Sequence, residues 1–252
     1  MAESAEVKPT PVEQVPKKAW LVVIAAIAIN LGLGILYAWS VWAGALVNLS
    51  KAGQLITEGP AAGWTYLTNA EAATPYSLGV ILFALMLVLG GRIHDKLGPR
   101  IGPIAGGLLL ALGFSIAGLS KSYSGLLVGF GILSGIGSGL AYAATIPAAL
   151  RWFSPRQRGL VAGLVVAGYV GGALYIPPLT AYLVKAAGGS FSWIFLGIFS
   201  GVVVIIAGSL LAWPDPCCLP PAARIKPRSA PVVVIDPLAD LAPGKMLCTW
   251  QF

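Results

Sequence analysis

The chain has 252 residues, of which 57% are hydrophobic and only 10% charged, and its formal net charge is +7. A soluble domain of this length cannot hide that much apolar surface in one core, so the solvent implied is lipid. The positive charge does not point to nucleic acid, because no basic patch carries interleaved aromatic side chains.

Residues 1–19 are polar, contain Pro9, Pro11 and Pro16, and read as a disordered cytoplasmic tail. Six apolar runs follow, near 20–47, 73–90, 101–119, 124–150, 160–184 and 191–213. A helix crossing about 30 Å of hydrocarbon needs roughly 20 residues, and these runs are of that order. They lack the alternating polarity of barrel strands. The first run, with Ala43-Gly44-Ala45 near its end, is much longer than the roughly 7–15 residues of a signal-peptide core and reads as an uncleaved helix. The expected fold is all-α, a six-helix integral membrane bundle over residues 20–213. Residues 48–72 form the one long external loop, with Gly53, Gly59, Pro60 and Gly63 as turn signals and Trp64 and Tyr66 as interface anchors. Beyond residue 213, Pro214, Pro216, Pro220, Pro221 and four further prolines mark 214–252 as a cytoplasmic linker.

Charge placement orients the helices. Thirteen of the sixteen basic residues, including Lys17, Lys18, Arg92, Lys96, Arg100, Arg151, Arg156 and Arg158, fall on one side, against Lys51, Lys121 and Lys185 on the other. By the positive-inside rule the first side and both termini are cytoplasmic. Cys217, Cys218 and Cys248 lie there too, where thiols stay reduced, and their spacing is not that of a metal site. No metal, cofactor or enzymatic constellation is expected.

Small and polar residues predict the helix contacts. Gly131, Gly135 and Gly139 line one face of the fourth run, and Gly163, Gly168, Gly171 and Gly172 serve the fifth. Pro147, Pro177 and Pro178 predict kinks. Asn30, Gly34, Tyr37, Val41, Gly44 and Asn48 step by four and three along one face of the first helix. Ser134, Ser138, Tyr142 and Thr145 do the same in the fourth, and Tyr169 in the fifth is a third candidate. Two readings stand for this polar set: interhelical packing, or a substrate path in which Asn30, Tyr37, Tyr142 and Tyr169 orient a small carboxylate through neutral groups. No Asp, Glu, Lys, Arg or His lies mid-span, which argues against a self-contained proton-coupled carrier.

The turn after the second run reads Gly91-Arg92-Ile93-His94-Asp95-Lys96-Leu97-Gly98-Pro99-Arg100. Gly91 allows close helix approach. Asp95 can accept from amides at a helix N-terminus, and Arg92 and Arg100 can reach carboxylate or carbonyl partners. His94, the sole histidine, reads as a solvated ring.

Gly91, Asp95, Lys96, Gly98 and Arg100 match the signature loop of the major facilitator superfamily, Gly-x-Leu-x-Asp-(Arg/Lys)-x-Gly-(Arg/Lys)-(Arg/Lys), with Ile93 in place of leucine and Pro99 in place of a basic residue. Residues 151–159, with Arg151, Arg156 and Arg158, are similar to that superfamily's loop between spans four and five. Gly34 through Val41 and the closing Lys245-Met246-Leu247 resemble the oxalate/formate antiporter family. The resemblance covers most of residues 18–252. It implies the amino-terminal half of a twelve-span carrier, with a cytoplasmic gate at the signature loop. It also implies small organic anions of the oxalate, formate or lactate type as substrates, and a second six-helix half that holds the anion-binding charges. Three readings stay open: a half that pairs with a separate chain or with itself, a truncated inactive half, and a six-helix scaffold or sensor. The plasma membrane is the expected location, with the lipid bilayer as the surrounding partner.

Overall fold

The computed structural model describes residues 16–59 and 61–214. The tail, the linker, the three cysteines and the closing Lys245-Met246-Leu247 segment lie outside the described residues or almost wholly so. Among the described residues, six helices are long and apolar enough to cross a membrane: Lys17–Leu46, Asn69–Leu97, Ile101–Ser120, Tyr123–Leu150, Pro155–Ala187 and Gly189–Leu210. They are called spans one to six below. Each overlaps an apolar run seen in the sequence. Spans two and five extend beyond their runs at both ends because polar end residues keep helical hydrogen bonds beyond the apolar stretch.

Capping explains the boundaries. Span two begins in a capping box. Glu71 N–H donates to Thr68 Oγ1 at 3.2 Å, and Thr68 N–H donates to the Glu71 carboxylate at 2.8 Å. It ends at Gly98, whose φ of +95° suits a residue without a Cβ and whose N–H donates to the His94 carbonyl. Pro75 lies buried inside span two, and Pro147, Pro177 and Pro178 lie inside helices that continue through them. Span six stops at Leu210, three residues before the expected end, and residues 211–214 leave the helix.

Span one contains an irregularity that its sequence spacing did not disclose. Gly34–Ala38 tightens into a 3-10 turn between Lys17–Leu33 and Trp39–Leu46. With about three residues per turn instead of 3.6, the steps of four and three no longer hold one face. Asn30 and Gly34 turn to span five, Gly44 meets no neighbouring atom within 4 Å, and Asn48 lies past the helix end. Span four has the opposite distortion, a π-helical stretch at Leu126–Leu133. There Ser134 Oγ donates to the Gly129 carbonyl at 2.9 Å, five residues back.

Glycines let the spans meet at backbone distance. A Cβ placed on Gly135 would sit 2.6 Å from the Gly79 carbonyl oxygen, and one on Gly139 would sit 2.6 Å from that of Phe83, so the predicted stripe in span four is the seam with span two. Gly168 and Gly172 make the expected close packing, and their neighbour is span one. Gly163 meets nothing within 4 Å, which removes it from the predicted set.

The core at the end of the bundle away from the signature loop is aromatic. Trp42 stacks on Trp193 with centroids 3.7 Å apart, and Phe114, Phe130 and Trp39 surround the pair. The loop between spans one and two adds Trp64, which is buried and 6.4 Å from the Trp193 ring. Trp64 is therefore a plug in the core and not an interface anchor, because its indole finds more apolar contact among other rings than at a wet surface.

Candidate functional site

Two groups of residues stand out, one mid-bundle and one at the basic end. In the first, Tyr37 from span one and Tyr142 from span four each lie 5.6 Å from Tyr169 of span five, ring to ring. Phe83 of span two closes the group at 5.6 Å from Tyr142. Four spans thus converge on one aromatic cluster. Tyr175 ties its hydroxyl to the Leu31 carbonyl at 2.8 Å, whereas the Tyr37, Tyr142 and Tyr169 hydroxyls bond to no protein group among the described residues. Beside Tyr37 an open cavity of about 210 Å³ is lined by Leu36, Trp39, Ser40, Tyr76, Ala173 and Pro177, none of them charged.

Asn30 stands apart from the tyrosines. It is fully buried, and its Nδ2 donates to the Val165 carbonyl of span five at 2.7 Å. The predicted polar face of span four also divides. The Ser134, Ser138 and Thr145 hydroxyls donate to carbonyls of their own helix, at 2.9, 2.6 and 2.8 Å, which leaves Tyr142 alone facing the cluster. Phe83 was missed because a phenylalanine in an apolar run gives no signal of its own.

At the basic end, Arg151 Nη2 donates to Asp95 Oδ1 at 2.9 Å. The Arg151 guanidinium also lies 4.8 Å above the Trp213 ring. Arg100 Nε donates to the Leu211 carbonyl at 2.8 Å, and Trp152 Nε1 donates to the Ala212 carbonyl at 2.9 Å. The chain leaving span six is therefore held against the turns after spans two and four. Arg158 Nε reaches the Phe153 carbonyl at 3.3 Å, and Lys96 and Arg156 are exposed.

Three expectations for this turn are corrected. Asp95 bonds to Arg151 rather than to amides at a helix start. Gly91 has nothing within 4 Å of its Cβ position, and the close approach is made by its neighbour Gly90, 2.9 Å from the Ala143 methyl. His94 is not solvated: only 1% of it is exposed, and its ring meets Trp213 edge to face at 6.1 Å. The helix continues through His94, so the ring turns inward where a loop would have left it in water. Trp213, at the end of the apolar run 191–213, completes this end from beyond the helix, which stops at Leu210.

The Asp95–Arg151 pair is largely exposed on both sides, so it contributes little to stability. We expect Asp95→Asn to leave the thermal unfolding midpoint of the purified chain within about 2 °C of wild type, as differential scanning fluorimetry in detergent would measure.

Six apolar helices packed through glycine seams, with a half-buried aromatic cluster contributed by four of them, define a polytopic helical membrane protein. The chain belongs to the Major Facilitator Superfamily, whose family model matches residues 19–243. Among curated proteins it is 27% identical to the oxalate:formate antiporter of Oxalobacter formigenes over 91% of this chain and 48% of that one. It is 30% identical to apicoplast pyruvate carrier 1 of Toxoplasma gondii over 64% of this chain and 34% of that one. Human monocarboxylate transporter 12 is 28% identical over 58% and 27% respectively. The chain thus spans about half the length, or less, of the curated relatives it matches. The superfamily is one of membrane transporters and not of enzymes.

Proposed function

We propose that this chain supplies one lobe of an alternating-access carrier for small organic carboxylates. The observation that carries the reading is the convergence of Tyr37, Tyr142 and Tyr169 from three spans, with unbonded hydroxyls, beside an uncharged open cavity. Hydroxyl donors on aromatic rings can orient a carboxylate without a compensating cation. The relatives named for oxalate, formate, pyruvate and monocarboxylates support the substrate class. Asn30 acts behind this set, holding span one to span five.

In this reading residues 20–213 are the membrane lobe, residues 1–19 the cytoplasmic tail and residues 214–252 the cytoplasmic linker, in the plasma membrane. A second six-helix lobe, from another chain or a second copy, covers the apolar faces of spans two and five, which are the least enclosed of the six. Gly91, Asp95, Lys96, Gly98 and Arg100 form the cytoplasmic gate, with Arg151 as the partner of Asp95. Arg156 and Arg158 hold topology.

The test is flux of labelled oxalate, formate and lactate into vesicles containing the chain, with and without a supplied second lobe. With the second lobe, Tyr37→Phe and Tyr169→Phe each raise KM about tenfold, the loss of one hydrogen bond to a charged group. An unchanged KM in both variants would remove the tyrosines from the substrate path. Flux equal with and without the second lobe would show that the chain does not work as a half.

A further inference from the structure

Outside the aromatic cluster, the outer surface between spans one and six carries an open apolar groove of about 280 Å³. Its floor is made of small side chains, Ala25 and Ala28 from span one and Ala207 from span six. Leu21 rises on one wall, with Ile206 and Leu210 on the other, and these larger side chains are exposed while Ala25 and Ala207 are buried. The small floor and branched walls make a slot rather than a flat lipid-facing surface. No charged side chain lines it. From Leu21 to Ala28 it runs about 10 Å along the helix axis, at 1.5 Å per residue.

The slot has a charged mouth at one end. Lys17 and Lys18 precede Leu21 by four and three residues, which puts both on the groove face of span one, one turn beyond the apolar lining. Both are exposed, and Trp20, an amphipathic ring suited to headgroup depth, is exposed beside them. A membrane-spanning helix is about 10 Å across with side chains and would leave two lysines at its end without partners. A zwitterionic lipid would fill the slot but gain little from the lysines. The ligand that uses both features has an apolar chain and an anionic head.

We propose that this groove binds a single anionic phospholipid, one acyl chain lying over Ala25, Ala28 and Ala207 and the headgroup phosphate against Lys17 and Lys18. Two lysines near a surface favour an anionic headgroup by about an order of magnitude or more. The proposal is independent of substrate transport.

The full chain, exchanged into micelles containing equal phosphatidylglycerol and phosphatidylcholine, is analysed by native mass spectrometry. The expected result is one retained lipid per chain, with phosphatidylglycerol favoured about tenfold. Lys17→Gln/Lys18→Gln brings that preference close to parity while total lipid retention persists. Ala28→Phe, which fills the slot, lowers retention of both lipids. Leu174→Phe, on an exposed position of span five, changes neither. Circular dichroism and size-exclusion profiles matching wild type establish that each variant is folded, and the lysine pair is exposed, so its replacement does not threaten the fold. No preference in the wild type, a preference that survives the double lysine substitution, retention unaffected by Ala28→Phe, or a dimer cross-linked through the groove would each overturn the assignment.

Discussion

Trp193→Ala is expected to lower the stability of the bundle by about 3–5 kcal/mol, the range for removing a large buried aromatic. The indole is 1% exposed and stacks on Trp42 at 3.7 Å. It also touches Phe114, Phe130, Trp39 and Trp64, so rings from spans one, three and four and from the loop between spans one and two lose a shared partner. Within lipid the hydrophobic effect gives little reason for helices to associate, so the loss is one of dispersion and ring–ring contact plus the void left behind. Unfolding by sodium dodecyl sulfate titration, followed by circular dichroism, would measure it. Phe199→Ala, on an exposed face of span six, is the matched control and should cost less than a third as much. Equal effects in the two variants would mean that the aromatic core is not what ties the loop between spans one and two to the bundle.

Gly34→Leu and Gly172→Leu should each separate spans one and five. A Cβ on either glycine would lie 2.6 Å from the Cα of the other, and both obstacles are backbone, which cannot step aside as a side chain can. The effect lies at or above the upper end of the roughly 1–3 kcal/mol typical of overpacking. It would also act at a distance. Tyr37 is three residues beyond Gly34 in the same 3-10 turn, and Tyr169 is three residues before Gly172, so the 5.6 Å contact between their rings depends on this crossing. Disulfide cross-linking between cysteines placed at Leu31 and Gly171 should fall sharply in either leucine variant. Gly44→Leu and Gly163→Leu meet open space and should cross-link and elute as wild type. Normal cross-linking in Gly34→Leu would mean that spans one and five are not held by this contact.

The two distortions, the 3-10 turn in span one and the π-helical stretch in span four, have a common consequence for the aromatic cluster. Each shifts the phase of a helix that carries a candidate tyrosine, at Tyr37 itself in one case and nine residues before Tyr142 in the other. Regular helical periodicity would have kept Asn30 with Tyr37, and the tightened turn at Gly34–Ala38 separates them. Ser138 and Tyr142 stay on one regular helical stretch; the buried Ser134 and Ser138 hydroxyls and the Asn30 amide nitrogen donate to carbonyls, while Asn30 Oδ1 has no partner among the described residues. Of the three candidate tyrosines, Tyr37 lines the open cavity.

At the basic end a similar division holds. The composition of the signature turn was legible as a charged, glycine-bounded motif, and Asp95, Gly98 and Arg100 do sit where span two meets span three. Their partners were not legible. Arg151 is 56 residues from Asp95 and Leu211 is 111 from Arg100, and nothing local in the sequence selects those pairings. His94 shows the limit clearly: flanked by charges, it reads as a wet residue, yet one more turn of helix buries it against Trp213.

By itself the sequence determined how many apolar helices there are, roughly where they begin and end, that they require lipid, and which small residues form their seams. These properties depend on composition and period, which are local. Tertiary structure alone decided which tyrosines meet, which polar groups turn inward, that Gly90 and not Gly91 makes the close approach, and that the chain after span six is strapped to two distant turns. Those outcomes depend on helix phase and on contacts between residues far apart in the chain. A single tightened or widened turn changes them without leaving a mark in hydrophobic pattern.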